Sequence, residues 1–181
     1  KNIFDDFSFK FSYGNIYEIR GPRGIGKSTL LKIIYNLLSP SNGEVLIDGE
    51  ANYRIHKLEN QIFYLPSSTT PFILDMESNI LLGKSPPAEF LDIINTLGLG
   101  AIIKDSCENL STGEQLRVAM ARGLISKKNI FLLDEFNANL DNKTSDQIVQ
   151  MLLKKAKNGA LIILVNHKSS IPGAIILELG L

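Results

Sequence analysis

Two stretches of this chain carry residue types at spacings suited to handling a nucleoside triphosphate. The first is Gly21-Pro22-Arg23-Gly24-Ile25-Gly26-Lys27-Ser28-Thr29, which has the form G-x-x-x-x-G-K-[ST]. Glycines in such a loop let successive backbone N–H groups curl around phosphate oxygens, and a following helix adds the positive end of its dipole. Lys27 then reaches the β- and γ-phosphates, and Ser28 ligands Mg²⁺. The plain alternative is a glycine-rich turn with no ligand; a strand-like run before it and a helix-like run after it favour phosphate binding. The second stretch is Ile130, Phe131, Leu132 and Leu133 followed by Asp134 and Glu135. A continuous apolar run suits a strand buried on both faces, and an acid at its carboxyl end lies where α/β sheets bind ligands. Asp134 is placed to hold Mg²⁺, and Glu135 to polarise a water that attacks the γ-phosphate. Taken alone, the same residues also fit a strand followed by a polar helix cap.

A third stretch, Leu110-Ser111-Thr112-Gly113-Glu114-Gln115-Leu116-Arg117, has two compatible readings. Ser111 and Glu114 have the spacing of a capping box, which is helix-start chemistry. A capped helix start with a glycine beside it is also an anion site. Spacing alone leaves capping and phosphate binding open.

The elements that must position these residues read as an α/β fold with a largely parallel sheet. Strands are expected at 16–20, 44–48, 62–65, 130–133, 161–165 and 174–179. Helices are expected at 27–38, with Leu30, Leu31, Ile34, Leu37 and Leu38 along one face, at 112–125, and at 142–157 with Gly159 as the stop. Between 67 and 110 strand signals are weak. Ser85, Pro86 and Pro87 mark a helix start, followed by Phe90, Leu91, Ile94 and Leu97 at helical spacing. This middle region reads as a small helical lobe.

Composition narrows the classes. With 181 residues the chain has the length of one domain, and 44% hydrophobic with 21% charged residues is ordinary globular usage. Lys plus Arg and Asp plus Glu are 19 each, so the basic excess that a duplex-DNA binder uses is absent. Lys154, Lys155 and Lys157 read as a solvated helix end. Cys107 is the sole cysteine, which excludes an internal disulfide and suits a reducing compartment. No apolar run approaches the ~20 residues that span a bilayer. Any membrane-spanning part is expected on another chain or beyond this one.

In combination the motifs go further. The loop at 21–29, the run from Leu110 through Arg117 continuing as Val118-Ala119-Met120-Ala121-Arg122, and the run from Leu132 through Asp141 follow in this order and at this spacing. Together they resemble the ATP-binding cassette (ABC) family over nearly the whole chain. The second run is similar to that family's LSGGQ or LSGGE signature. Residues 138–141 resemble its D-loop, and His167, just past the next strand, its switch histidine.

That resemblance implies a P-loop NTPase core with a mostly parallel sheet, a small α-helical lobe and an N-terminal antiparallel β region. Residues 1–181 are then one ABC ATPase domain, with 1–66 and 126–181 as the ATP-binding core and 67–125 as a reduced helical lobe carrying the signature. It implies ATP and Mg²⁺ as cofactors, with Glu135, His167 and Lys27 catalytic. It implies a head-to-tail dimer, homodimeric or with a second cassette, in which Ser111, Thr112, Gly113 and Glu114 of one subunit close over ATP held by the other. Asp141 would couple the two sites. A transmembrane transporter subunit is the implied partner, at the inner, cytoplasmic face of a membrane, and no nucleic acid is expected.

Four departures from the family pattern qualify this. Ser67 stands where the family's Q-loop glutamine should follow Phe63, Tyr64, Leu65 and Pro66, with Gln61 inside the strand a poor substitute. Thr112 replaces the first signature glycine. The aromatic that stacks on adenine is expected upstream of Phe4, since Tyr13 is too close to Lys27; weak discrimination between ATP and GTP follows. The chain is short for a transporter cassette. Two other functions stay in view: a soluble ABC ATPase of DNA repair, chromosome organisation or translation, and a regulatory nucleotide-binding module that barely turns over, which Ser67 favours.

Overall fold

The computed structural model describes residues 3–4, 6–55, 58–72, 74–137, 140–166 and 170–180. Five parallel strands form the main sheet in the order β4-β5-β6-β1-β7. They are β1 (Ile16–Arg20), β4 (Ile62–Leu65), β5 (Ile130–Asp134), β6 (Leu161–Val165) and β7 (Ile175–Glu178). Every residue of β5 and β6 is buried, as the unbroken apolar runs predict for strands covered on both faces. Because the strands are parallel, their carboxyl ends share one edge of the sheet. A two-stranded antiparallel sheet, β2 (Leu46–Ile47) and β3 (Glu50–Ala51), stands apart from it.

Helices α1 (Lys27–Ile34) and α4 (Thr112–Leu124) cover opposite faces of the sheet. Leu30, Leu31 and Ile34 of α1 pack with Ile19, Ile62, Leu132 and Ile163 on one face. Leu116, Met120 and Leu124 of α4 pack with Phe63, Leu65, Phe131 and Leu133 on the other. Gly123 lets α4 close on the Phe63 ring, which occupies the space a β-carbon would need. The long helix α5 (Asn142–Lys157) buries Ile148, Leu152 and Ala156 in the same layer as α4. Its bounds and those of β6 coincide with the sequence expectation.

Short helices α2 (Met76–Leu81) and α3 (Phe90–Thr96) pack on α4 and form the helical lobe. The hub of the lobe is Asn79, which is fully buried. Its Oδ1 accepts from the Phe72 backbone N–H at 2.8 Å, and its Nδ2 donates to Phe72 O at 3.0 Å. Arg122 of α4 donates through Nε to Asn79 O at 2.9 Å and stacks its guanidinium 5.5 Å from the Phe72 ring centre. One amide thus ties the strand-to-lobe segment, α2 and α4 together. Burial lowers the Arg122 pKa, with the nearby Cys107 acting the other way.

Several expectations are corrected. The helix expected over 27–38 ends at Ile34, because Asn36 adopts φ 63° and turns the chain; Leu37 and Leu38 are exposed. The strand expected over 44–48 is instead half of the β2–β3 hairpin, reversed at Asp48 and Gly49, both with positive φ. Of the residues expected on the apolar side of α3, Leu91 is exposed, at 69%, and Ile93 takes the buried position. Lys155 is half-buried rather than fully solvated: its ammonium lies 5.1 Å from the centre of the Phe131 ring, and burial lowers its pKa.

Candidate functional site

The phosphate-loop sequence forms the connection from β1 to α1, at the carboxyl edge of the sheet. Gly26 adopts φ 110° and serves as the N-cap of α1 without a side-chain cap, so the first N–H groups of the helix face the loop's cleft. Gly21, at φ 142°, runs so close to Leu179 O that a β-carbon would stand 2.6 Å from it. Lys27 is buried and curls back, donating from Nζ to Gly21 O at 2.7 Å and Pro22 O at 3.0 Å. The loop's own carbonyls therefore hold the ammonium inside the bend of the loop.

Ser28, in the first turn of α1, donates from Oγ to Asp134 Oδ1 at 3.0 Å. Asp134 ends β5, which β6 separates from β1 in the sheet, and its exposure is 2%. A hydroxyl beside a buried carboxylate is a hard oxygen pair of the kind Mg²⁺ takes from protein, its remaining positions going to phosphate and water. These two residues fit the ion that the sequence implies. Tyr64 of β4 lies diagonally from Asp134 on the same sheet face, since Tyr64 pairs in register with Leu132. Its ring stacks on Tyr35 at 5.2 Å, and its buried hydroxyl has no hydrogen-bond partner among the described residues. Burial, helped by the Asp134 charge, pushes the phenol up to about 12.

Glu135 follows Asp134 with φ 55°, a left-handed conformation that a non-glycine residue adopts at a cost. Its N–H still bonds Val165 O at 3.0 Å, continuing the β5–β6 ladder past the end of the strand. The turn aims its side chain at the cleft rather than along the sheet. That cleft, about 220 Å³, is lined by Arg23, Gly24, Gly26, Lys27, Ser28, Thr29, Glu135 and Val165. Val165 was not singled out from the sequence; the signal available was its place at the end of the strand beside β5. Ser67 is exposed, two residues past Leu65, which ends β4 and pairs with Leu133 of β5.

The signature residues lie elsewhere. Ser111 caps α4, on the face of the sheet opposite α1, and none of Ser111, Thr112, Gly113 and Glu114 lines the cleft. The capping box is complete: Ser111 Oγ accepts from the Glu114 N–H at 3.3 Å, and Glu114 Oε2 accepts from the Ser111 N–H at 2.8 Å. The Ser111 hydroxyl also donates to Glu114 Oε2 at 2.6 Å; that bond first, then the one from the Ser111 N–H, holds the Glu114 pKa below its ordinary value. Ser111 and Thr112 are exposed. Asp141 is likewise a helix cap, accepting from the Thr144 N–H at 2.9 Å and Thr144 Oγ1 at 2.7 Å. Both bonds depress its pKa, the backbone one first. His167, Ala138 and Asn139 lie outside the described residues. At the other end of the chain, Ile3 and Phe4 pack over Gly26, and the Tyr13 hydroxyl bonds Asp48 at 3.2 Å.

Comparison with known proteins agrees with this geometry. The ABC transporter family model matches residues 4–138. The lipoprotein-releasing system ATP-binding protein LolD of Rickettsia bellii is 35% identical over 176 residues, covering 91% of this chain and 80% of that protein. Among solved structures, a dimeric ATP-binding cassette in a post-hydrolysis state bound to ADP and Pi superposes with a TM-score of 0.83 at 27% identity, covering 98% of this chain and 86% of that one. A bacterial Atm1-family ABC exporter with ATP bound gives a TM-score of 0.88 at 26% identity, covering 99% of this chain but 34% of the exporter chain. The chain belongs to the ABC transporter family. It is an ATP-binding cassette, and the described part contains no helix long and apolar enough to cross a membrane.

Proposed function

We propose that this cassette is the ATP-hydrolysing motor of an ABC transporter, working as a head-to-tail dimer at the cytoplasmic face of a membrane and coupled to a transmembrane partner. The observation that carries this is the convergence of Lys27, the Ser28–Asp134 pair and Glu135 on one cleft. Loop N–H groups and Lys27 bind and orient the phosphates. Ser28 and Asp134 hold Mg²⁺, which when bound neutralises charge on the β- and γ-phosphates. Glu135 orients the attacking water and takes up its proton, and His167 steadies the γ-phosphate.

The cleft is not lined by its own signature, since Ser111 stands at the start of a helix on the other face of the sheet. A second cassette, turned head to tail, would bring Ser111 and Gly113 to the γ-phosphate, with Asp141 at the junction. Residues 67–125 then form the lobe that presents the signature, and 1–66 with 126–181 form the core that holds nucleotide. LolD, named as an ATP-binding protein of a lipoprotein-releasing system, supports the transport setting.

Steady-state ATP hydrolysis tests this. The parent should turn over ATP, and Lys27→Ala and Glu135→Gln should each lose at least about a hundredfold in kcat. Turnover in Glu135→Gln equal to the parent would remove Glu135 as the base. A second reading, a module that binds ATP and hydrolyses it slowly, is favoured by Ser67. Its short exposed side chain follows the carboxyl end of β4, where the family carries a longer glutamine. A parent kcat that rises on Ser67→Gln would support that reading.

A further inference from the structure

Three residues that line the nucleotide cleft are charged: Lys27, Glu135 and Arg23. Lys27 and Glu135 take part in the proposed hydrolysis, and Arg23 is the third charge. Residues 22–25 form a tight turn, closed by the Ile25 N–H donating to Pro22 O at 3.3 Å. Arg23 and Gly24 are its central residues, and Gly24 at φ 81° gives it the type II form, in which the second central residue takes a positive φ. Lys27 Nζ donates at 3.0 Å to the same Pro22 O, so the ammonium braces the turn. A β-carbon on Gly24 would meet nothing within 4 Å, so that side of the turn is uncovered. Arg23 is thus carried on a fixed turn, exposed, at the edge of the cleft.

The two cations are committed differently. An ammonium has three N–H donors, and Lys27 gives two of them to Gly21 O and Pro22 O, which leaves one for phosphate. A guanidinium has five donors in a planar fork, and Arg23 makes no ion pair or side-chain hydrogen bond with any described residue. Glu135 lines the same cleft. A triphosphate seated there brings its terminal charge toward a carboxylate, which costs affinity unless a cation offsets it. We propose that Arg23 is that cation. Its guanidinium grips the terminal phosphate with paired N–H donors, selects ATP over ADP, and stabilises the charge spread over that phosphate during hydrolysis. The phosphate loop then supplies, from its own chain, both a cation that stiffens the loop and one that reads the last phosphate. The inference rests on the ATPase reading above, which places the terminal phosphate beside Glu135.

The test is calorimetric binding of Mg-ADP and of the non-hydrolysable imido analogue of Mg-ATP to the parent, Arg23→Gln and Arg23→Lys, with thermal melts and ATP turnover of each. Arg23→Gln removes the charge and keeps a polar side chain. It should bind the triphosphate analogue about tenfold or more weakly than the parent, and ADP within about twofold. Its kcat should fall by at least about tenfold, at the parent's melting temperature. Arg23→Lys, a point charge without the fork, should recover part of the affinity for the analogue. Equal losses for ADP and the analogue would assign Arg23 to the shape of the loop and overturn the proposal; unchanged affinity for the analogue would overturn it too. If Arg23→Gln melts lower, the ratio of the two affinities on that one variant still decides, because a general loss cancels in it. A parent that prefers the analogue through Arg23 yet does not hydrolyse ATP would sink the ATPase reading and uphold the grip.

Discussion

Ser28 Oγ donates a 3.0 Å hydrogen bond to Asp134 Oδ1, joining the first turn of α1 to the carboxyl end of β5. The two residues are 106 positions apart in sequence and are brought together by α1 packing across the sheet onto β5, with β6 lying between β5 and β1. Each is set by a different force. Ser28 is fixed by the helix that the phosphate loop starts, and Asp134 by a strand buried along its whole length. Removing the Asp134 charge while keeping its shape, as Asp134→Asn, should lower kcat/KM for Mg-ATP by about a hundredfold or more. Turnover measured against Mg²⁺ concentration checks this: the variant should need far more Mg²⁺ than the parent for half-maximal rate.

Glu135 at φ 55° stores backbone strain at the position proposed to orient the attacking water. Replacing it by glycine, which adopts that conformation freely, should relieve about 1 kcal/mol and raise Tm by about 3 °C, while turnover is lost. Glu135→Gln should lose turnover with no gain in Tm. Thermal melts of the three proteins check the difference between the variants. A glycine variant less stable than the parent would show that the side chain's own contacts outweigh the strain.

Ser111 is the point at which structural and functional roles coincide. Loss of its cap, in Ser111→Ala, should cost about 1 kcal/mol of stability. The Glu114 pKa is depressed in the folded state, so the carboxylate's share of the capping box is present above its ordinary value of 4.5 and is lost as pH falls through the lower folded value. The stability gap between parent and Ser111→Ala should therefore narrow on acidification below about pH 4.5. Chemical denaturation at pH 7 and below pH 4 measures this. ATP binding by the isolated variant should be unchanged, because Ser111 is absent from its own cleft.

Asn79 predicts a purely structural loss. Asn79→Leu leaves the N–H and C=O of Phe72 and the Arg122 Nη2 short of partners, and should destabilise by about 2–3 kcal/mol. Urea denaturation should show the lower midpoint, with the nucleotide affinity of the folded fraction retained, since the lobe does not line the cleft.

The sequence carried those parts of the molecule where local pattern and tertiary demand agree. Helix α5 begins at an Asp cap and ends before Gly159, and the buried runs of β5 and β6 have no competing period, so their extents were legible. Where they disagree, pattern misleads. Leu37 and Leu38 continue the stripe of α1, but the left-handed turn at Asn36 ends the helix before them. Leu91 matches helical spacing and is nonetheless on the open side of α3. Lys155 reads as a surface charge and lies instead over Phe131. For the site, the phosphate loop and Asp134 were legible because their chemistry is local. That Arg23 pairs with no described side chain was not, since only the assembled fold shows which carboxylates come near the loop. At Ser111 and Asp141 a capping role is visible in one chain, and only a second chain can reveal another.

The most direct measurement is sedimentation of the Glu135→Gln variant with and without Mg-ATP. A shared, head-to-tail site predicts a monomer without nucleotide and a stable dimer with Mg-ATP, and a return to monomer when Ser111→Arg is added to the same chain. A variant that stays monomeric at saturating Mg-ATP, or that dimerises equally with Ser111→Arg in place, would contradict a site built from two cassettes.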